Sequence, residues 1–269
     1  MEKKFCIFVL VLCVCFTGCG VRNNKNEEGI ELEKNINLEI TEYIKSNLAD
    51  IWSYSEDKFK IYDNHSVEIV FSNVDDWSYC AYNTNNAIVS LSKYRDELLK
   101  EIPNITFVCK KDSNKIAKVV YENIYEISKE NVESNAKYYD SNDNLINESA
   151  ESGFKKSCNI YKYRDIFRNP ENYIFKRAKI TGEVIQVIEE VNSGIEYWVL
   201  RVNMTKDSWG YYSDTIMIMI QKSAINGRII EDDIFTFYGL LGEPITYETI
   251  FGAEQTVPSM LAIYGDLKN

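Results

Sequence analysis

Twelve consecutive apolar positions, Phe5 to Phe16, open the chain behind Lys3 and Lys4, and a polar stretch from Gly20 to Lys34 follows. A helix over twelve residues reaches only ~18 Å, too short for a stable membrane span, so the run is predicted to be a removable export signal. From residue 35 the period changes. Ile40, Tyr43, Ile44, Leu48 and Ile51 recur at three- and four-residue spacing, which predicts an amphipathic helix. Strand-like runs at Phe59 to Tyr62 and Val67 to Phe71 flank the turn-compatible Asp63-Asn64-His65. Ile88, Leu91, Tyr94, Arg95, Leu98 and Leu99 predict a second helix that ends before Pro103. Ile105 to Cys109 and Ile116 to Tyr121 predict a hairpin around Lys110 to Lys115. The order α-ββ-α-ββ implies an α+β domain over 35–127, with two helices packed on an antiparallel sheet.

Residues 128–157 are rich in Asn, Ser, Glu, Asp and Lys and predict a polar linker or an ordered excursion, with some helix retained over Val132 to Tyr139. The remainder, 158–269, has the clearer pattern. A short helix around Ile166 and Phe167 is stopped by Pro170. A long strand then starts at Lys179, and its apolar phase changes between Gly182 and Ile185, as at a bulge. Trp198, Leu200, Val202 and Met204 alternate with Tyr197, Val199, Arg201 and Asn203 in the next strand, beyond a turn at Asn192-Ser193-Gly194. Thr215 to Gln221, Phe235 to Leu241 and Leu261 to Tyr264 supply three more. Five strands in roughly 100 residues favour a small closed barrel, because closure buries the apolar faces and removes exposed edges.

This second half resembles the bacterial OB-fold-like domains of Firmicute lipoproteins, many of unassigned function. The resembling residues are Tyr163-Arg164-Asp165, Arg168-Asn169-Pro170-Glu171-Asn172-Tyr173, Thr181 to Val187, Arg228 to Ile234, Tyr238-Gly239 and Thr256-Val257-Pro258. The resemblance implies an all-β, OB-like five-stranded barrel and names no reaction. At the other end Phe16-Thr17-Gly18-Cys19 resembles the bacterial lipobox, with Phe16 where that motif usually has an aliphatic residue. It implies a signal peptide over 1–18, a diacylglycerol thioether on Cys19, and a flexible tether over 19–34. The protein would then sit on the extracytoplasmic side of the bacterial cell membrane, its membrane partner reached through the lipid at Cys19.

Composition narrows the chemistry. The chain carries 30 basic and 41 acidic side chains, a formal charge of −11; loss of Glu2, Lys3 and Lys4 with the signal leaves −12. From Glu171 onward eight basic face fourteen acidic residues. Tyr197, Trp209, Tyr211 and Tyr212 are candidate ligand-facing aromatics, but the positive track expected beside a nucleic-acid backbone is missing, so nucleic acid is not expected as a partner. An envelope protein or glycan is the expected alternative.

Of seven cysteines, Cys6, Cys13, Cys15 and Cys19 lie in the export segment. Cys80, Cys109 and Cys158 remain, an odd number at wide spacing that makes neither a disulfide framework nor a metal set; a Cys80–Cys109 bridge stays open. His65, the sole histidine, sits in the predicted turn without a Cys/His cluster around it. Glu231-Asp232-Asp233 lacks calcium-loop spacing and reads as a solvated acidic turn, and Gly239, Gly242 and Gly252 do not form a phosphate loop. No catalytic, cofactor-binding or metal residues are assigned. A non-catalytic accessory or ligand-binding role is expected; a cell-envelope hydrolase using carboxylates, or a structural component of an envelope assembly, are the competing classes.

Overall fold

The computed structural model describes residues 39, 42–44, 46, 59–61, 66–70, 76–93, 97–102, 104–192, 194–248 and 252–268. The export segment, the tether, His65 and most of the first predicted helix lie outside them; Tyr43 and Ile44 are helical, and Ile44 is buried. The chain divides into two compact units, Met1–Ala150 and Glu151–Asn269.

The first unit holds a six-stranded sheet in sequence order: β1 (Phe59–Ile61), β2 (Ser66–Val70), β3 (Asn104–Lys111), β4 (Asn114–Glu122), β5 (Ala136–Tyr139) and β6 (Leu145–Ile146). The hairpins β1–β2 and β3–β4 are antiparallel, as their turn residues predict. β2 and β3 run parallel, a departure from the antiparallel sheet expected, because the helix α1 (Trp77–Ser92) carries the chain back between them. β5 and β6 extend the sheet from β4; of the span Val132 to Tyr139 expected to retain some helix, Glu133–Asn135 is a 3₁₀ turn and the rest of it, from Ala136, is strand.

α1 also differs from the predicted second helix. It begins at Trp77, where the Asp76 side chain caps Ser78 N–H at 2.8 Å, and ends at Ser92; Glu97–Glu101 is a separate 3₁₀ turn. Its core-facing side carries Thr84 and Asn85 beside Ala81, Ile88 and Leu91, so the apolar period is broken. Those polar groups are satisfied in place. Tyr121 Oη lies 2.7 Å from both Asn85 Oδ1 and Thr84 Oγ1, and Asn85 Nδ2 donates to Tyr138 Oη at 3.1 Å. Burial pushes the Tyr121 and Tyr138 hydroxyls well above the ordinary phenol range. Cys80 and Cys109 are buried and are not disulfide-bonded.

In the second unit, α2 (Ala150–Ser157) sets Phe154 edge-on to Tyr264, and α3 (Tyr163–Arg168) puts Ile166 into the barrel core. Five strands close the barrel: β7 (Arg177–Asn192), β8 (Ile195–Lys206), β9 (Tyr212–Gln221), β10 (Ile234–Glu248) and β11 (Glu254–Leu267), in the order β10-β11-β9-β8-β7. β9 and β11 pair in parallel and every other pair is antiparallel. This is an OB-like barrel. Its interior stacks Ile180, Val184, Leu200, Val202, Ile216, Ile218 and Phe237, the inward positions that strand alternation selects. The bulge expected in β7 is the register shift between Val184 and Gln186. At Gly239 a β-carbon would stand 2.1 Å from the Leu261 carbonyl oxygen, so the second register shift, after Tyr238, requires glycine.

Candidate functional site

Two regions of the barrel are distinguished by geometry. The first is the outer surface of β8 and β9, the side on which OB folds commonly receive ligands. Val199, Arg201, Met217 and Met219 point outward there, cross-strand from one another. They are not open. Past Gly242 the β10–β11 hairpin shifts register, with Ser259 Oγ donating to the Glu243 carbonyl at 2.6 Å, and its outer half lies on this surface. Tyr247 and Val257 pack with Val199 and Met217 in an apolar cluster separate from the barrel core. The Arg201 guanidinium lies under the Tyr247 ring at 5.0 Å and donates from Nη1 to Gln186 Oε1 at 3.3 Å, while its Nε is buried without a hydrogen-bond partner. Tyr247 is fixed in turn through Oη to Gln255 Oε1 at 2.7 Å.

The second region is a cleft at the other end of β8. β7 pairs with β8 from Glu183↔Asn203 to Asn192↔Ile195, whereas its first residues, from Arg177, pair with β10 and, at Ala178, with an isolated parallel bridge from Asn159. β8 continues to Lys206 on β9 alone. The two strands therefore part below Gly182, whose missing side chain lets β7 approach the Asn203 carbonyl; a β-carbon would meet that oxygen at 2.4 Å. The gap is a cavity of about 320 Å³ lined by Ile160, Lys179, Thr181, Met204, Lys206 and Tyr212, with Ile180 beside them. Thr181 and Thr236 hydroxyls are bonded at 2.8 Å, and Asn203 ties β8 to β9 through Thr215 Oγ1 at 2.8 Å.

The four aromatics singled out in the sequence are divided between these regions. Tyr212 lines the cleft, its ring 5.2 Å from Lys206 Nζ. Trp209 and Tyr211 stand on the loop that joins Lys206 to Tyr212 and are 85% and 76% exposed. That loop is ordered by Asp207, whose Oδ1 accepts from Trp209 N–H at 2.8 Å and Tyr211 N–H at 2.9 Å, while Gly210 takes φ +96. Tyr197 is half-buried and pairs with Gln221, nine residues back along β8 from Lys206; at ~3.4 Å per residue this separates it from the others by roughly 30 Å. Lys179 and Lys206, the cations of the cleft, were not singled out by sequence, since neither sits in a motif.

Glu231-Asp232-Asp233 forms a tight turn. Ile230 N–H donates to Asp233 Oδ2 at 2.9 Å, and the backbone is tied to Val184 on both sides. Among the described residues no group of three or more His, Cys, Asp or Glu side chains is placed to hold a metal ion.

No family model matches the chain, and no curated protein matches it. Solved structures do match the barrel. A small single-stranded DNA-binding protein from Streptomyces coelicolor is 12% identical with a TM-score of 0.28, over 35% of this chain and 94% of that one. The mitochondrial single-stranded DNA-binding protein Rim1 from S. cerevisiae is 11% identical with a TM-score of 0.26, over 35% and 94%. A selenomethionine crystal of the yeast mitochondrial protein gives 10% and 0.25, over 35% and 96%. The expectation that nucleic acid is no partner is corrected by this finding, since the solved structures that match are those of single-stranded DNA-binding proteins. At these identities the likeness concerns the fold alone.

Proposed function

We propose that this protein is a lipid-anchored lipoprotein on the extracytoplasmic face of a bacterial membrane, and that its OB-like barrel is a non-catalytic accessory module that receives a ligand. The observation that carries the reading is the export segment, a charged start and twelve apolar residues ending at Thr17-Gly18-Cys19. A diacylglycerol on Cys19 supplies two acyl chains at ~0.8 kcal/mol per buried methylene, enough for stable anchoring where one chain is marginal. Among the described residues no helix is long and apolar enough to cross a membrane. The ligand-receiving half of the reading is supported by the cleft between β7 and β8, with exposed Trp209 and Tyr211 on the loop beside it. Envelope proteins and glycans are the partners within reach of a body so placed.

Cys19→Ala tests the tether. The variant should move from the membrane to the soluble fraction, and retention at the wild-type level overturns lipid anchoring.

A further inference from the structure

We infer that the cleft between the start of β7 and the end of β8 binds the carboxylate or phosphate of a small ligand with an apolar body, through Lys179 and Lys206. The inference rests on the ligand-receiving role proposed above and gives that role a chemical class.

Charge placement is the first ground. The barrel carries more acid than base, yet the residues lining this cavity include two lysines and no carboxylate. Lys155 contacts Glu151 and Asp266, and Lys222 contacts Glu189 and Glu196. Lys179 and Lys206 have no such partner among the described residues. Their amines instead face rings, Lys179 Nζ at 5.6 Å from the Tyr238 centroid and Lys206 Nζ at 5.2 Å from that of Tyr212. A ring attracts and orients an ammonium without neutralising it, so the remaining N–H donors stay available to an anion.

The cavity supplies the second ground. Its 320 Å³ lies at the lower end of the range for small-molecule sites. Ile160 and Met204 give apolar wall, Thr181 gives a hydroxyl, and Tyr212 gives a ring face. The opening is built into the strand pairing, because β7 leaves β8 at Glu183↔Asn203 and takes Asn159 as its edge partner at Ala178, while β8 continues on β9. No rearrangement is needed to form it. A ligand with one anionic group and one ring or short chain matches this lining.

The test uses the full chain in nonionic micelles with its methionine methyl groups labelled with ¹³C, the Met204 signal being assigned by Met204→Leu. Phenyl phosphate and benzoate are the anionic probes, distinguishing phosphate from carboxylate. Benzyl alcohol is the neutral probe, and sodium chloride matches the ionic strength. The expected result is a saturable shift of Met204 with one or both anions and none with benzyl alcohol or salt. Lys179→Gln and Lys206→Gln should each weaken it about tenfold, the loss of one charge-assisted hydrogen bond, and Lys206→Arg should retain it. Folding of each variant is checked by the unchanged methyl signals outside the cleft. Absence of a saturable shift with either anion overturns the inference, as does an equal response to benzyl alcohol or indifference to both glutamine substitutions. Membrane release of Cys19→Ala is read separately, so lipid anchoring can fail or stand independently of this result; an equal response to benzyl alcohol leaves ligand reception standing and removes only its anionic class.

Discussion

Arg201 and Tyr247 are joined across the outer face of the barrel, guanidinium carbon to ring centroid at 5.0 Å. The contact explains how the outer half of the β10–β11 hairpin is held on a surface that OB folds otherwise leave open. A cation over a ring contributes roughly 0.5–2 kcal/mol, and Tyr247 adds the burial of its ring against Val199, Met217 and Val257. Tyr247→Ala should therefore destabilise the barrel by about 2–4 kcal/mol. Arg201→Met should cost far less or even stabilise, because it removes a buried guanidinium nitrogen that has no acceptor. Denaturant unfolding of the two variants and the double variant measures both effects and their coupling.

Tyr121 makes the first unit sensitive to alkali. Its folded hydroxyl titrates well above 10 because it is buried, whereas in the unfolded chain it ionises near 10. The unfolded state thus loses its proton first as pH rises, so stability is full below pH ~10 and declines above it. The denaturation midpoint of wild type should fall between about pH 9.5 and 11.5. Tyr121→Phe should show a shallower decline by one proton and a loss of about 1–3 kcal/mol at pH 7, where Asn85 and Thr84 are left short of a partner.

Asp143 carries the opposite sign. Hydrogen bonds from Lys115 and Lys118 hold its carboxyl down at about 2. A carboxylate lowered in the folded state contributes above its unfolded value near 4 and loses that contribution as pH falls through about 2. Carbon-detected titration of Asp143 should give a midpoint near 2 in wild type, and Lys115→Met should move it upward toward the ordinary carboxylate range.

Gly182 closes the upper edge of the cleft. Gly182→Ala forces a methyl group against the Asn203 carbonyl, and the two strands must part by more than a tenth of their spacing. A loss of about 1–3 kcal/mol is expected in unfolding experiments. Faster amide exchange at the Glu183↔Asn203 pair should accompany it.

The barrel was legible in the sequence because each strand keeps period two over one buried face; the phase change between Gly182 and Ile185 even located its bulge. The start of α1 was not, because Thr84 and Asn85 stand where an apolar stripe was sought and are buried by hydrogen bonding to tyrosines far along the chain. The parallel β2–β3 pair depends on where that helix begins and ends. The cleft was half legible. Trp209, Tyr211 and Tyr212 are visible as aromatics, but Lys179 and Lys206 line one cavity only because β7 and β8 stop pairing between them. Tyr197 was grouped with the others by residue type, and the length of β8 keeps it apart.

Mass spectrometry of the mature N-terminal peptide, taken from protein purified out of its native membrane, tests the lipoprotein reading most directly. The predicted species begins at Cys19 and carries a diacylglycerol on its sulfur. A peptide that retains residues 1–18, or one that begins at Cys19 without acyl chains, contradicts it.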